Sequence, residues 1–414
     1  MTVQVQSGSK AMVAGSSARP DRTDRPVRVL HIAKTAAPLT YGGLESTVRQ
    51  ICLGLRDTGI AFDIVCAGDP DADGSPREAD YGRVYVFASR VRISTCPIPS
   101  GFAAFLRAAA REYDVFHFHA VWPFAEMVDL FRRVDGPRRI VTYHADVLGR
   151  EPLNALYRPL LRRFLASCDT VVTTSDAYAR SSPVLSRLPR RPQVIPLGLD
   201  PASYPQGQPS LQAAWRGRAG TGFFLFLGML RPYKGLEVLL RAAEGLGARV
   251  VIAGDGPMKS DLEGMAAQRG LDNVAFVGRV SEQDKVALLH LCRAVVLPST
   301  TRAEAFGIAL LEGQMFARAL VSTELGTATS EVNQDGVTGR VVPPGNAGAL
   351  RSAMRELLDD GCAHAFGAAA RQRFDRHYRA EHVLRQYADL YTGQGATTWA
   401  ADADGTVGPS GGGS

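Results

Sequence analysis

Glu304 and Glu312 stand eight residues apart in Ser299-Thr-Thr-Arg-Ala-Glu-Ala-Phe-Gly-Ile-Ala-Leu-Leu-Glu312, with Phe306-Gly307 between them. The apolar run Val295 to Leu297 reads as the end of a buried strand, and Ile308 onward as a helix. Glu304 is therefore expected in a strand-to-helix loop. Glu312 falls about 1.5 turns into the helix, so the acids do not share a helix face and flank an object about 10 Å long. Between them lies a helix N-terminus whose free N–H groups make an anion site. A nucleotide sugar matches this layout: sugar near Glu304, diphosphate at the helix start, ribose hydroxyls near Glu312. Two solvated helix acids would show the same spacing, so other residues must decide.

Gly228-Met-Leu-Arg-Pro-Tyr-Lys-Gly235 follows a strand and opens a helix. Arg231 and Lys234 lie one turn apart there and suit a diphosphate, the arginine by forked hydrogen bonds and the lysine as a point charge. Solvated surface charge is the plain alternative. Gly42-Gly43 after the first strand would let backbone approach phosphate, or simply make a turn. Gly254-Asp-Gly-Pro257 reads as a structural turn. His144, at a strand's carboxyl end, could donate to a sugar hydroxyl. His117 and His119 point to one face of their strand, for structure or function alike. No cysteine or acid accompanies them at metal spacing, so no metal site is expected.

These residues need a frame to hold them. Short apolar runs alternate with amphipathic stretches from Val27 to the strand at Gln193–Pro196, then again from the strand at Phe223–Leu227 to that at Gly339–Val342. That rhythm predicts right-handed βαβ units with parallel sheets, and so an α/β fold of two doubly wound domains facing a cleft. Asp200 to Pro209 is turn-rich and reads as a linker. Three helices close the chain: Ala347–Leu358, Cys362–Arg373 and Ala380–Tyr391. The expected organisation is a disordered arm over 1–26, domains over 27–200 and 201–379, a closing helix over 380–394, and a disordered tail over 395–414.

The bulk numbers agree. With 414 residues, 45% hydrophobic and 21% charged, the chain can build two cores. A net charge of +6 fits anionic ligands or an anionic membrane surface rather than nucleic acid. Six cysteines, none in CxxC spacing, suit free thiols in a reducing cytosol. No apolar run reaches the length of a membrane span, and residues 1–25 lack a hydrophobic signal core. Arg132, Arg133, Arg138, Arg139, Arg158, Arg162 and Arg163 cluster in the first domain. They read as a solvated face or as a membrane-docking surface.

In order along the chain, several segments resemble the retaining glycosyltransferases of family 4, which have the GT-B fold. In the second half these are FLGMLRPYKG (226–235), VIAGDGP (251–257), NVAFVGRVSEQDK (273–285), VVLPSTTRAEAFGIALLEGQ (295–314) and GTATSEVNQDGVTGRVVPP (326–344). The first half adds VLHIAKTAAPLTYGGLE (29–45), HFHAVWPFAEM (117–127), VTYHADV (141–147), and VVTTSDAYARSSPVL with VIPLGLD between 171 and 200. The resemblance spans residues 27 to 393. The YHAD and GTATSEVN elements look most like bacterial GDP-sugar-dependent mannosyl- or rhamnosyltransferases of surface polysaccharide assembly.

The resemblance implies roles. Glu304 would contact the donor sugar and Glu312 the ribose. Phe306, Gly307 and Ile308 would offer the helix start to the donor. Arg231 and Lys234 would clamp the diphosphate, and Gly42 and Gly43 would approach it from the first domain. His144 would bond the transferred sugar, and Arg279 and Val280 would flank the base. No metal and no cofactor beyond the nucleotide sugar is implied, and the acceptor would be a glycan carried on a lipid. The enzyme would be cytoplasmic, peripheral on the inner face of the membrane. Two departures stand out: Met229 occupies the place of a usual clamp arginine, leaving Arg231 to substitute, and Ala317 replaces the glycine usual after the Glu312 helix. The alternatives are a UDP-sugar enzyme of the same family, a nucleotide-sugar epimerase, and a non-catalytic sugar-nucleotide-binding subunit. A dinucleotide-dependent dehydrogenase ranks last, because no GxGxxG follows the first strand.

Overall fold

The computed structural model describes residues 25–36, 43–93, 96–132, 136–147 and 151–394. The expected arm, apart from Arg25 and Pro26, and the expected tail lie outside these residues. So does Gly42. Arg25 is held by a two-pronged contact to Asp114, at 2.8 and 3.1 Å.

The first domain carries β1 (Val27–Ile32), β2 (Ile60–Gly68), β3 (Asp73–Ala79), β4 (Gly82–Ala88), β5 (Val91–Ile93), β6 (Cys96–Ile98), β7 (Val115–Ala120), β8 (Arg138–Tyr143), β9 (Thr170–Thr173) and β10 (Gln193–Val194). Its main sheet runs β10-β9-β8-β7-β1-β2-β4-β3, with β5 and β6 forming a separate hairpin. The second domain carries β11 (Phe224–Leu227), β12 (Val250–Ala253), β13 (Val274–Gly278), β14 (Ala294–Leu297), β15 (Ala319–Thr323) and β16 (Gly339–Val342). They form one parallel sheet, β13-β12-β11-β14-β15-β16. Central strands such as Phe224–Leu227 and Val250–Ala253 are buried throughout. Helices cover both sheet faces, so such strands read as unbroken apolar runs. Each large side chain fully buried here contributes roughly 1.5–3 kcal/mol.

Among the parallel strands the order reverses between β7 and β1 in the first sheet and between β11 and β14 in the second. In open α/β sheets the loops diverge at such a point and leave a crevice at the strands' carboxyl ends. Both groups of candidate residues sit at these points.

The chain crosses between domains near Leu199 and crosses back near Arg379. The two crossings run side by side: the Leu199 N–H donates to the Tyr378 carbonyl and the Ala380 N–H to the Leu199 carbonyl, each at 2.9 Å. The closing helix Ala380–Thr392 then packs on the first domain, where the Tyr391 hydroxyl meets His117 Nδ1 at 2.7 Å. Ala317 adopts φ 54°, the left-handed conformation that glycine adopts without penalty.

Candidate active site

The loops after β11 and β14 leave neighbouring strands, since Phe224 pairs with Ala294. Gly235 joins them at φ 68°, and a Cβ there would lie 2.0 Å from the Pro298 carbonyl oxygen. Only glycine permits that approach. The Thr300 N–H also donates to the Tyr233 carbonyl at 2.8 Å. Together these contacts bring Lys234 Nζ to 2.5 Å from Glu304 Oε2, although the residues lie seventy apart in sequence. The Ser299 hydroxyl donates to the same carboxylate oxygen at 3.1 Å. Its own carbonyl accepts from Thr323 Oγ1 at 2.5 Å.

Beyond Glu304 the chain turns through Gly307, at φ 86°, into the helix Ile308–Met315. Among the described residues, the backbone N–H groups of Phe306, Gly307, Ile308 and Ala309 donate to no protein acceptor. Gly43 comes from the first domain, close enough that a Cβ on it would sit 3.9 Å from Ile308 Cδ1. Phe306 is buried, edge-on to Tyr378. Its side chain is core and only its backbone faces the helix start. Glu312 accepts from Lys285 Nζ at 2.7 Å and from the Tyr204 hydroxyl at 3.0 Å. Burial opposes the charge on Lys285, but Glu312 and Glu282 outweigh it and raise its pKa above the ordinary lysine value. Burial and then Glu312 push the Tyr204 hydroxyl's pKa up.

The clamp arginine is less engaged. Arg231 is exposed, and its Nε lies 2.9 Å from Met229 Sδ. Among the described residues no hydrogen bond or ion pair joins it to Lys234 or Glu304. Arg279 is exposed just past β13, and Val280 is half-buried beside it. Lys285, Tyr204 and Ser299 received no role from sequence. The available signal for Lys285 was its helix: Ser281 and Asp284 form a capping box that fixes where Lys285 points.

The first-domain side is built from histidines. His31 on β1 pairs in register with His117 on β7, and His119 follows two residues later. His31 Nδ1 lies 2.9 Å from His119 Nε2, and His119 Nδ1 lies 3.0 Å from His144 Nε2. His117 is bonded on both nitrogens, to the Tyr391 and Thr142 hydroxyls, each at 2.7 Å. Burial keeps all four rings neutral. It pushes the pKa of His31 down to about 3 and that of His144 down to about 4, the latter slightly opposed by Glu45. His117 and His119 fall well below the usual value, through burial and then the neighbouring rings.

Sequence alone did not place His31 in this group. Ligand atoms of His31, His117 and His119 lie within 4.8 Å of one another, a clustering the spacing argument against a metal did not foresee. Yet all of their nitrogens except His31 Nε2 are already hydrogen-bonded. The trio also contains no carboxylate or thiolate to offset a buried dication.

The domains meet just beside these groups. Arg302, two residues before Glu304, reaches Asp146, two residues after His144, at 3.2 Å. It also donates to Ser181 Oγ at 2.8 Å and stacks 4.9 Å over the Tyr178 ring. Glu331 accepts from the backbone N–H groups of Asp176 and Ala177, capping a first-domain helix with a second-domain acid.

Comparison with known proteins agrees with this geometry. The family profile described as glycosyl transferases group 1 matches residues 210–373, and that described as glycosyltransferase family 4 matches residues 41–203. The O-antigen chain mannosyltransferase C of Escherichia coli is 41% identical over 367 residues, covering 88% of this chain and 98% of that protein. The chain belongs to glycosyltransferase family 4. A second relative of this glycosyltransferase, the D-rhamnosyltransferase WbpZ of Pseudomonas aeruginosa, is 41% identical over 80% of this chain and 87% of its own. Among solved structures, a sucrose-phosphate synthase from Thermosynechococcus elongatus superposes with a TM-score of 0.72 at 20% identity, over 89% of this chain and 98% of its own. HepE of Anabaena, solved with UDP, gives 0.72 at 17% identity, over 89% of this chain and 100% of its own. At such identities they establish the GT-B fold and nothing finer.

Proposed function

We propose that this glycosyltransferase moves a hexose, mannose or a 6-deoxy relative, from a GDP-sugar to a lipid-linked glycan during bacterial polysaccharide assembly. In this reading the anomeric configuration is retained and no metal is needed. One observation carries the donor site: Lys234 and Glu304 sit together at the foot of a helix whose first N–H groups have no acceptor. A diphosphate arriving there takes Lys234 as its counter-charge, with Arg231 swinging in from the surface. The N–H groups from Phe306 to Ala309 donate to the leaving group's oxygens and stabilise the negative charge developing there. Glu304 then faces the sugar, and Glu312 the ribose. Gly43, with Gly42 before it, closes on the diphosphate from the first domain. Arg279 and Val280 flank the base, and His144 reaches the sugar from across the cleft. The names of the two 41%-identical relatives support the sugar class and, through it, GDP as the nucleotide.

The acceptor side has its own support. Several of the seven arginines expected at a membrane surface have structural partners among the described residues, while Arg133 lies outside those residues: Arg139 pairs with Asp129 at 3.2 Å, and Arg162 donates to the Pro183 carbonyl at 3.0 Å. Arg138 donates to the Tyr391 carbonyl. Instead, the helix Glu151–Ser167 exposes Pro152, Leu153, Ala155, Leu156 and Pro159, ending at Arg163. Leu156 is 74% exposed, and Phe131 nearby 68%. An apolar face closed by a cation suits the interface of an anionic membrane. A cavity of about 230 Å³ beside it is lined by Asp146, Asn154, Tyr157 and Arg302, where an acceptor head group would enter. No helix among the described residues is long and apolar enough to cross a membrane.

Thermal unfolding with GDP, UDP and ADP, each without added metal, tests the donor. A ligand at 100 times its dissociation constant adds about 2.7 kcal/mol. A shift with GDP alone is expected. A shift with UDP alone replaces the donor, and no shift removes the nucleotide-sugar site. Leu153→Glu with Leu156→Glu should abolish binding to phosphatidylglycerol vesicles; unchanged binding removes the membrane surface.

A further inference from the structure

The row of imidazoles ends at an atom with nothing to bond: His31 Nε2 is sealed from solvent and has no partner among the described residues. His31 Nδ1 faces His119 Nε2 at 2.9 Å, and His119 Nδ1 faces His144 Nε2 at 3.0 Å. A neutral imidazole has one N–H and one lone pair. Two hydrogen bonds along three neutral rings can then be satisfied in only two ways.

With the protons pointing inward, His144 donates to His119, His119 donates to His31, and His31 is left with an N–H in dry surroundings. With the protons pointing outward, His31 Nδ1–H donates to His119 and His119 Nδ1–H donates to His144. The orphan at His31 is then a bare lone pair. Buried N–H groups without acceptors are rarer than under-used acceptors, so the outward order is the stable one. His144 Nε2 is then an acceptor, and its proton sits on Nδ1. Among the described residues His144 Nδ1 has no protein partner, and it is not among the sealed atoms.

We propose that His31 and His119 are positioning residues that hold His144 as the Nδ1–H tautomer, a neutral donor offered to an oxygen of the transferred sugar. The last clause rests on the reading of His144 given above; the tautomer itself rests on the three rings alone. His117 stands outside the row, because both of its nitrogens are engaged by hydroxyls. It wedges beside His119, with ring centres 4.4 Å apart, and helps fix the plane in which the row lies.

The test is nitrogen-15 NMR of histidine-labelled full-length protein at pH 7, with the His144 signals assigned by their loss in His144→Gln. The expected result is protonated Nδ1 and bare Nε2 at His144. His119→Leu removes the donor and should leave His144 as a mixture of tautomers, with kcat down by up to about tenfold, the worth of one well-placed hydrogen bond. His119→Asn places an amide N–H near the lost Nδ1–H and should restore most of both. A protonated Nε2 at His144 in the unaltered protein, or an unchanged tautomer in His119→Leu, overturns the proposal. If the tautomer is lost in His119→Leu while kcat holds, the row is supported, and it is the sugar contact of His144 that falls.

Discussion

On the second domain's side of the cleft, Lys234 and Lys285 each rest on a glutamate, at 2.5 and 2.7 Å. On the first domain's side, His31, His119 and His144 hold one another without any net charge. The difference follows from what each wall must do. An ion pair can be exchanged: on the proposed reading, an incoming diphosphate would offer Lys234 a second anion, and the pair would re-form around the ligand. A row of neutral rings cannot be redirected by a passing charge, but it fixes direction, since every bond in it has a donor end. The donor wall is built to be rewired by its substrate and the facing wall to stay as it is.

Loss of an exchangeable charge should cost most. Lys234→Ala is expected to lower kcat by about 10²–10³-fold, the range for removing one group that stabilises leaving charge; steady-state rates with saturating donor measure it. A loss under tenfold would mean that Lys234 is structural and that the helix start alone handles the diphosphate. Glu312→Gln should act on affinity instead. It is expected to raise the donor KM about tenfold with kcat nearly constant, because a ribose contact binds ground and transition states alike. A fall in kcat with KM unchanged would move Glu312 from the ribose to the chemistry.

The neutral wall makes a different prediction, in pH. The unfolded histidines titrate near 6.5, while His31 is pushed down to about 3 and His144 to about 4 by burial. A depressed folded pKa means that the unfolded chain binds protons first as pH falls. Stability is therefore complete above 6.5 and is lost below it, by up to about 1.4 kcal/mol per pH unit for each histidine. Melting temperature should drop by several degrees between pH 7 and pH 5, and His31→Phe should reduce the drop. A flat profile over that range would show that the rings are not held neutral.

The smallest effect lies at the end of the donor helix. Ala317, at φ 54°, bears a Cβ penalty of about 1–2 kcal/mol. Ala317→Gly relieves it at an entropic cost of about 0.4–1 kcal/mol. The net gain should be about 0.5 kcal/mol by denaturant titration, with the donor KM unaltered.

Much of this arrangement was legible from the chain alone, and what was missed has physical causes. Apolar runs such as Phe224–Leu227 and Val250–Ala253 announce strands buried on both faces. β3, Asp-Gly-Ser-Pro-Arg-Glu-Ala, is a largely exposed edge strand, antiparallel to β4, and carries no apolar pattern to read. The helix Pro209–Ala219 begins inside what reads as a linker, because a proline at its first turn looks like a breaker. Within the site, Glu304, Gly307 and Lys234 could be singled out from local spacing. That Lys234 touches Glu304 depends on β11 and β14 being neighbours, and that His31 joins His119 depends on β1 lying beside β7. Strand order is a long-range property that no local spacing encodes, and it decides which loops meet.

The paired crossings at Leu199 and Ala380 bear on how the cleft can move. A single linker would leave the second domain free to swing, slide and twist. Two strands of chain bonded side by side act like a door's knuckles on one pin. The motion left to the cleft is rotation about that pin, so under the proposed function a bound donor would meet His144 along one repeatable arc. Cutting the chain after residue 379 would remove the returning knuckle and the Tyr391 hydroxyl that steadies His117, loosening the swing and the imidazole row together.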